Sequence, residues 1–221
     1  MKAIPRTRVK VCGLMRAEDA RAAVRAGADA VGVILSPGYR RSVTLKEAAT
    51  VLGRVPSNIG RVGVFVDAQL EDISRAVELL GLTEVQLHGS ESPMFCVGMS
   101  VPVVKTFHVG PGFEAAEIMR YRGVISGVLL DTLVKGEAGG SGKSFDWELG
   151  RHIPDVKVPV FLAGGLRPEN VREAVRRLRP AGVDVSSGVE QSPGIKSREL
   201  MERFVAEVRA ADQENEGRTK R

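Results

Sequence analysis

A single-domain (β/α)8 barrel of the α/β class is predicted by three features of the sequence. Eight short runs rich in Val, Ile and Leu recur along the 221 residues, most are followed by a helical pattern with an early acidic residue, and the repeat is about 25 residues long. The runs are almost continuously apolar, as parallel strands covered on both faces should be. An open, doubly wound sheet is the alternative arrangement, and eight units favour closure.

The strands are expected near residues 8–11, 30–35, 61–66, 84–87, 101–106, 127–130, 158–162 and 182–185. After the first, Glu18 and Asp19 open a helix that Gly27 closes; acids suit the positive end of the helix dipole and glycine the left-handed turn past its end. Leu45–Leu52, Leu70–Leu80, Phe113–Arg120, Val171–Leu178 and Ser197–Ala210 read as the clearer later helices, whereas the segments after Ser90 and Asp146 are short and ambiguous. From Asp212 to Arg221 nothing apolar remains to bury, so the barrel is assigned to residues 1–211 and residues 212–221 to a frayed tail.

Bulk composition narrows the classes of function. The longest apolar runs are five or six residues, far below the ~20 that cross a bilayer, and Met1 to Arg6 lacks an apolar signal core, so a cytoplasmic location with no membrane partner is expected. Cys12 and Cys96 are the two cysteines; they form neither a CxxC pair nor a Cys/His metal pattern, so no metal is expected. The formal charge of +5 is spread over helix faces and interleaved with acids, and aromatics are 5% of the chain, which argues against nucleic acid; the positive field suits a phosphorylated small molecule.

In such a barrel the carboxyl ends of the strands converge on one face, so residues distant in sequence can meet there. Cys12 ends the run Arg8-Val9-Lys10-Val11, and Asp131 ends Gly127-Val128-Leu129-Leu130. A cysteine is often only a small buried hydrophobe, and an aspartate often only a cap for the next loop. Their equivalent positions on the first and sixth units favour a general acid and base flanking one substrate. Arg41, with Arg40 as the neighbour that spacing cannot separate from it, offers a planar fork for a carboxylate. Asp67 and His88 also point to the mouth; the histidine either orients its neighbours or hydrogen-bonds structurally.

The loop after the sixth strand, with Gly140, Gly142, Lys143 and Ser144, resembles a nucleotide-binding loop in its last residues. Its first glycine is replaced by Glu137, so it reads instead as a lid or substrate-contacting loop anchored by Phe145-Asp146-Trp147. Gly164 and Gly165 after strand seven, with Ser186, Ser187 and Gly188 after strand eight, bring small residues and backbone amides where barrels commonly hold phosphate.

Six motifs, Lys10-Val11-Cys12-Gly13, Gln86-Leu87-His88-Gly89, Leu130-Asp131-Thr132, the segment from Gly139 to Trp147, that from Ala163 to Val171 and that from Asp184 to Glu190, occur in order. Together they closely resemble the phosphoribosylanthranilate isomerase family of tryptophan biosynthesis, over residues 8 to 207. The resemblance implies a cofactor-free Amadori rearrangement of N-(5-phosphoribosyl)anthranilate to 1-(2-carboxyphenylamino)-1-deoxyribulose 5-phosphate, by a monomer or homodimer. By the same likeness Asp131 is the general acid, Cys12 the general base and Arg41 the anthranilate carboxylate holder. His88, Gly140 and Gly142 touch substrate, and Gly164, Gly165, Ser186, Ser187 and Gly188 surround the phosphate. Leu14-Met15 and Ser42 depart from the usual pattern beside the anthranilate pocket.

Two rivals are weaker. The analogous histidine-pathway isomerase resembles a duplicated half-barrel with aspartates on both catalytic strands, whereas here the first position is Cys12 and no half-chain repeat is visible. A catalytically silent phosphate-binding barrel has no need of both Cys12 and Asp131.

Overall fold

Alternation of side chains along each strand decides where the chemistry sits. The computed structural model describes residues 6–110, 112–131 and 157–219. Eight parallel strands close into a barrel in sequence order: β1 (Arg8–Val11), β2 (Ala30–Ile34), β3 (Gly60–Phe65), β4 (Glu84–Leu87), β5 (Val103–His108), β6 (Gly127–Asp131), β7 (Val160–Ala163) and β8 (Gly182–Val185). Closure is made by β1 against β8, with Val9 opposite Val183 and Val11 opposite Val185. The expected (β/α)8 architecture is therefore present.

Among the described residues the α-helices are α1 (Ala17–Ala26), α2 (Leu45–Leu52), α3 (Leu70–Leu80), α4 (Pro93–Val97), α5 (Val171–Leu178) and α6 (Arg198–Thr219). α1 carries Glu18 and Asp19 in its first turn and ends at Gly27 with φ 96°, as its sequence predicts. α2 starts with a reciprocal capping box between Thr44 and Glu47. The segment expected as a helix over Phe113–Arg120 is a 3-10 helix, Ala115–Tyr121. Gly123 follows with φ 82°, leaving room for little more than two tight turns.

Successive strand residues face opposite sides of the sheet. Val9 and Val11, Val85 and Leu87, Val128 and Leu130, and Val183 and Val185 join the main core between barrel and helices, together with Ile73, Phe204 and Met201. Each large side chain fully buried there contributes about 1.5–3 kcal/mol. The intervening residues turn into the barrel, where Val104, Leu129, Ala163 and Phe161 form a second, smaller cluster. Continuing that parity one step beyond the strands aims Cys12, His88 and Ser186 inward, and the last residue of β6, Asp131, shares it.

Two features were not anticipated. After β8 the chain makes a short antiparallel pair, β9 (Glu190–Ser192) and β10 (Ile195–Lys196), held to α1 by a hydrogen bond from Lys196 N to Asp19 Oδ2 (3.3 Å). The stretch beyond Asp212, expected to fray, is instead the last turns of α6 as far as Thr219. Its contacts are polar, which is why an apolar pattern did not reveal them: Asp212 Oδ2 accepts from Thr7 N (3.2 Å), and Asn215 is buried and donates to Val175 O (3.3 Å). Among the described residues no helix is long and apolar enough to cross a membrane.

Candidate active site

Cys12 is buried just past β1, its N–H donating to Val185 O of β8 (2.8 Å). Two residues back on the same inward face, Lys10 donates to Asp184 Oδ2 (2.9 Å) and to Gln86 Oε1. With its oxygen so engaged, the Gln86 amide turns its NH2 to His88 Nδ1 (3.1 Å). That assignment follows from the hydrogen-bond network and leaves the ring proton of a neutral His88 on Nε2. Nε2 lies 3.4 Å from Asp131 Oδ2. A polar layer thus runs from β8 through β1 and β4 to the carboxyl group on β6.

Burial pushes the Cys12 thiol up from its ordinary value; Lys10 and Lys196 pull it back, while Asp184 adds to the rise. Cys12 therefore rests as a thiol near neutral pH. Burial works against the charge on Lys10, yet Asp184 and then Cys12 outweigh it and hold its pKa above the ordinary range, so the ammonium persists at any working pH. Burial and the neighbouring His88 hold His108 below the ordinary histidine value, against the opposing pull of Asp131. His108 therefore stays neutral at pH 7.

Arg41, and not the exposed Arg40, turns to the mouth. A methyl group at Gly13 would stand 2.7 Å from Arg41 Cδ and 2.9 Å from Ser186 Oγ, so the arginine crosses directly over the residue after the cysteine. Its guanidinium is gripped along one edge by Glu190, with Nε to Oε1 2.6 Å and Nη2 to Oε2 2.8 Å. Lys196 Nζ joins the same Oε1 (2.9 Å) and also donates to Ser186 O (3.0 Å). Burial opposes the charge on Glu190, but these hydrogen bonds overcome it and bring the carboxyl down to about 2. The cluster keeps a net positive charge beside Ser186.

Gly164 and Gly165 both take positive φ, 84° and 62°, after β7. Asn170 braces the turn, donating to Gly165 O (3.0 Å) and accepting from Arg167 N (2.9 Å). Gly188 lies so near Leu166 that an added methyl would sit 1.9 Å from its carbonyl oxygen; the loops after β7 and β8 therefore touch. Gly165 and Ser187 are exposed there, and Ser186 and Gly188 half-buried. Asp67, by contrast, is structural: its Oδ1 accepts from Ser90 N (2.7 Å) and Oγ (2.9 Å), tying the loops after β3 and β4.

Gly140 and Gly142, with Lys143 and Trp147 of the same loop, lie outside the described residues. Sequence reading missed Lys10, Gln86, Asp184, Gly32, Glu190, Lys196 and His108. Among the described residues His88, His108 and Asp131 bring ligand-type atoms within 4.8 Å of one another. The Gln86 contact keeps a proton rather than a lone pair on His88 Nε2, so the trio is arranged for hydrogen bonding.

The described geometry can present a thiol, a carboxyl group, a cationic rim and backbone amides to one small substrate. The chain matches the family described as N-(5'phosphoribosyl)anthranilate (PRA) isomerase over residues 9–207. N-(5'-phosphoribosyl)anthranilate isomerase from Halorhodospira halophila is 45% identical over 208 residues, covering 94% of this chain and 99% of the relative. The corresponding protein from Acidithiobacillus ferrooxidans is 43% identical over 206 residues, covering 93% and 99%. The crystal structure of phosphoribosyl anthranilate isomerase from Thermotoga maritima superposes with a TM-score of 0.86 at 38% identity, covering 92% of this chain and 99% of that one. Another such isomerase was crystallised with reduced 1-(o-carboxyphenylamino)-1-deoxyribulose 5-phosphate and has a TM-score of 0.80 at 34% identity, with the same coverage. With barrel, site and matches spanning nearly the whole chain, this protein belongs to the N-(5'-phosphoribosyl)anthranilate isomerase family.

Proposed function

We infer that this chain is a phosphoribosylanthranilate isomerase of tryptophan biosynthesis, with Asp131 as general acid and Cys12 as general base. The supporting observation is the inward placement of both groups at strand carboxyl ends, joined beneath the mouth by the layer from Lys10 to His88. In the first step the Asp131 carboxyl donates its proton to the ribose ring oxygen. The C1–O bond breaks, and the nitrogen lone pair forms an iminium. That cation acidifies the C2–H bond, and its charge also favours ionisation of a thiol that burial holds neutral in the ligand-free protein. Cys12, once its own proton has left to solvent, takes the C2 proton as the thiolate, giving an enolamine that tautomerises to the aminoketone.

Arg41 holds the anthranilate carboxylate through the guanidinium edge that Glu190 leaves open. Gly164, Gly165, Ser186, Ser187 and Gly188 receive the phosphate, and His88, Gly140 and Gly142 contact the substrate between these ends. The enzyme handles a small phosphorylated substrate in the cytoplasm as a monomer or homodimer, without cofactor, nucleic acid or membrane. The test is turnover of phosphoribosylanthranilate, followed by its fluorescence, in Cys12→Ala and Asp131→Asn. Each should lower kcat by about 100-fold or more and leave KM within about threefold. Near-native turnover in either variant rejects the role given to that residue.

A further inference from the structure

The general base and general acid stand on β1 and β6, yet one line of side chains joins them underneath. We propose that Lys10 is a positioning residue for both: its ammonium group faces the Cys12 sulfur, and through Gln86 it fixes the His88 ring that faces Asp131. The inference rests on the acid–base reading given above.

Three observations carry it. Lys10 on β1 and Cys12 just past its end are two residues apart and flank a common point, since a methyl at Gly32 would stand 2.9 Å from both Lys10 Cε and Cys12 Sγ. The Lys10 charge also pulls the thiol down against the rise that burial imposes. The ammonium donates to Asp184 Oδ2 and Gln86 Oε1, so it is held in place rather than swinging freely. An amide has one acceptor and one donor end, and Lys10 takes the acceptor end. The donor end is thereby turned to His88 Nδ1 (3.1 Å), and Nε2–H is directed at Asp131 Oδ2 (3.4 Å).

The line carries orientation and charge, not protons, because the Gln86 amide has no readily exchanged proton to relay. The other charged groups facing the sulfur are Asp184 on β8, Lys196 on β10 and Arg41 after β2. Those facing the His88 ring are His108 on β5 and Asp131 on β6. Lys10 alone adjoins the sulfur while also holding the amide that sets the ring.

The test uses the full chain with Cys96→Ala, so that alkylation by iodoacetamide reports Cys12. In Lys10→Met the pH midpoint of alkylation should rise by about one unit or more, and kcat should fall by about 10-fold with KM changed by less than about threefold. Lys10→Met leaves Asp184 unpaired and is liable to misfold. Lys10→Met/Asp184→Asn removes both charges and should shift the midpoint in the same direction by a smaller amount. Gln86→Met should leave that midpoint in place, lower kcat by about 10-fold, and change the ¹⁵N signature of His88 from the Nε2–H tautomer to a mixture. Folded lysine variants with the parent midpoint, or a Gln86→Met protein with the parent tautomer, would overturn the proposal. An active Cys12→Ala would instead overturn the acid–base reading, whatever the lysine variants do.

Discussion

Replacing Gly32 by alanine tests how tightly the sulfur is placed. Gly32 lies on the inward face of β2, between Val31 and Val33, which face the outer core. The added methyl would lie 2.9 Å from Cys12 Sγ, 2.9 Å from Lys10 Cε and 3.5 Å from Cys12 Cα. Carbon and sulfur settle at about 3.5–4 Å, so the thiol must retreat by roughly 0.5–1 Å. Retreat is resisted, because the backbone of Cys12 is bonded to Val185 and Lys10 is tied to Asp184. A misplacement of about 1 Å can cost about 100-fold in rate, so kcat should fall by about 10- to 100-fold. KM should stay within about threefold, because the grips proposed for the carboxylate and the phosphate are elsewhere. Overpacking should cost about 1–3 kcal/mol of stability. The assay is steady-state turnover well below the melting midpoint, with thermal unfolding followed by circular dichroism. A folded Gly32→Ala enzyme with kcat within twofold of the parent would refute the claim that this contact sets the position of the base.

Two further outcomes concern stability. Glu190 has its carboxyl lowered from 4.5 to about 2, so its contribution to folding is complete above about pH 4.5 and is lost as pH falls toward 2. Glu190→Gln should therefore lower stability at pH 7 by about 2 kcal/mol after allowance for solvent at the mouth. The gap from the parent in urea unfolding should close on acidification, and a gap independent of pH would contradict the ion-pair account. Deleting residues 212–221 removes the Asp212 and Asn215 contacts and should cost about 2 kcal/mol, read as a lower thermal midpoint with kcat retained. An unchanged midpoint would return that segment to the status of a frayed tail.

Much of the site was legible because strand ends are easy to recognise. Cys12, His88 and Asp131 each end or immediately follow an apolar run, and a barrel needs no further information to bring such ends together. Their supports were written in the same runs as polar breaks between apolar residues: Lys10 in Arg8–Val11, Gln86 in Glu84–Leu87 and Asp184 in Gly182–Val185. Period two puts each of these two residues before a site residue. Their partners, however, come from other strands, 76 and 174 residues away from Lys10, and only the register of a closed sheet supplies them. Glu190 was quoted as part of a motif, but its hold on Arg41 spans 149 residues and depends on the β9–β10 turn, too short to leave a periodic signal. The end of α6 eluded an apolar count because polar contacts dock it.

The barrel is floored in part with ions and amides where hydrocarbon alone could have filled the space. Ionic floors are costly to desolvate, and aliphatic groups of equal bulk are commonly the more cohesive filling. With the role proposed for Lys10, heat resistance and turnover draw on the same handful of atoms. Selection for either property alone would be felt first in Lys10, Gln86 and Asp184, beneath the mouth of the barrel.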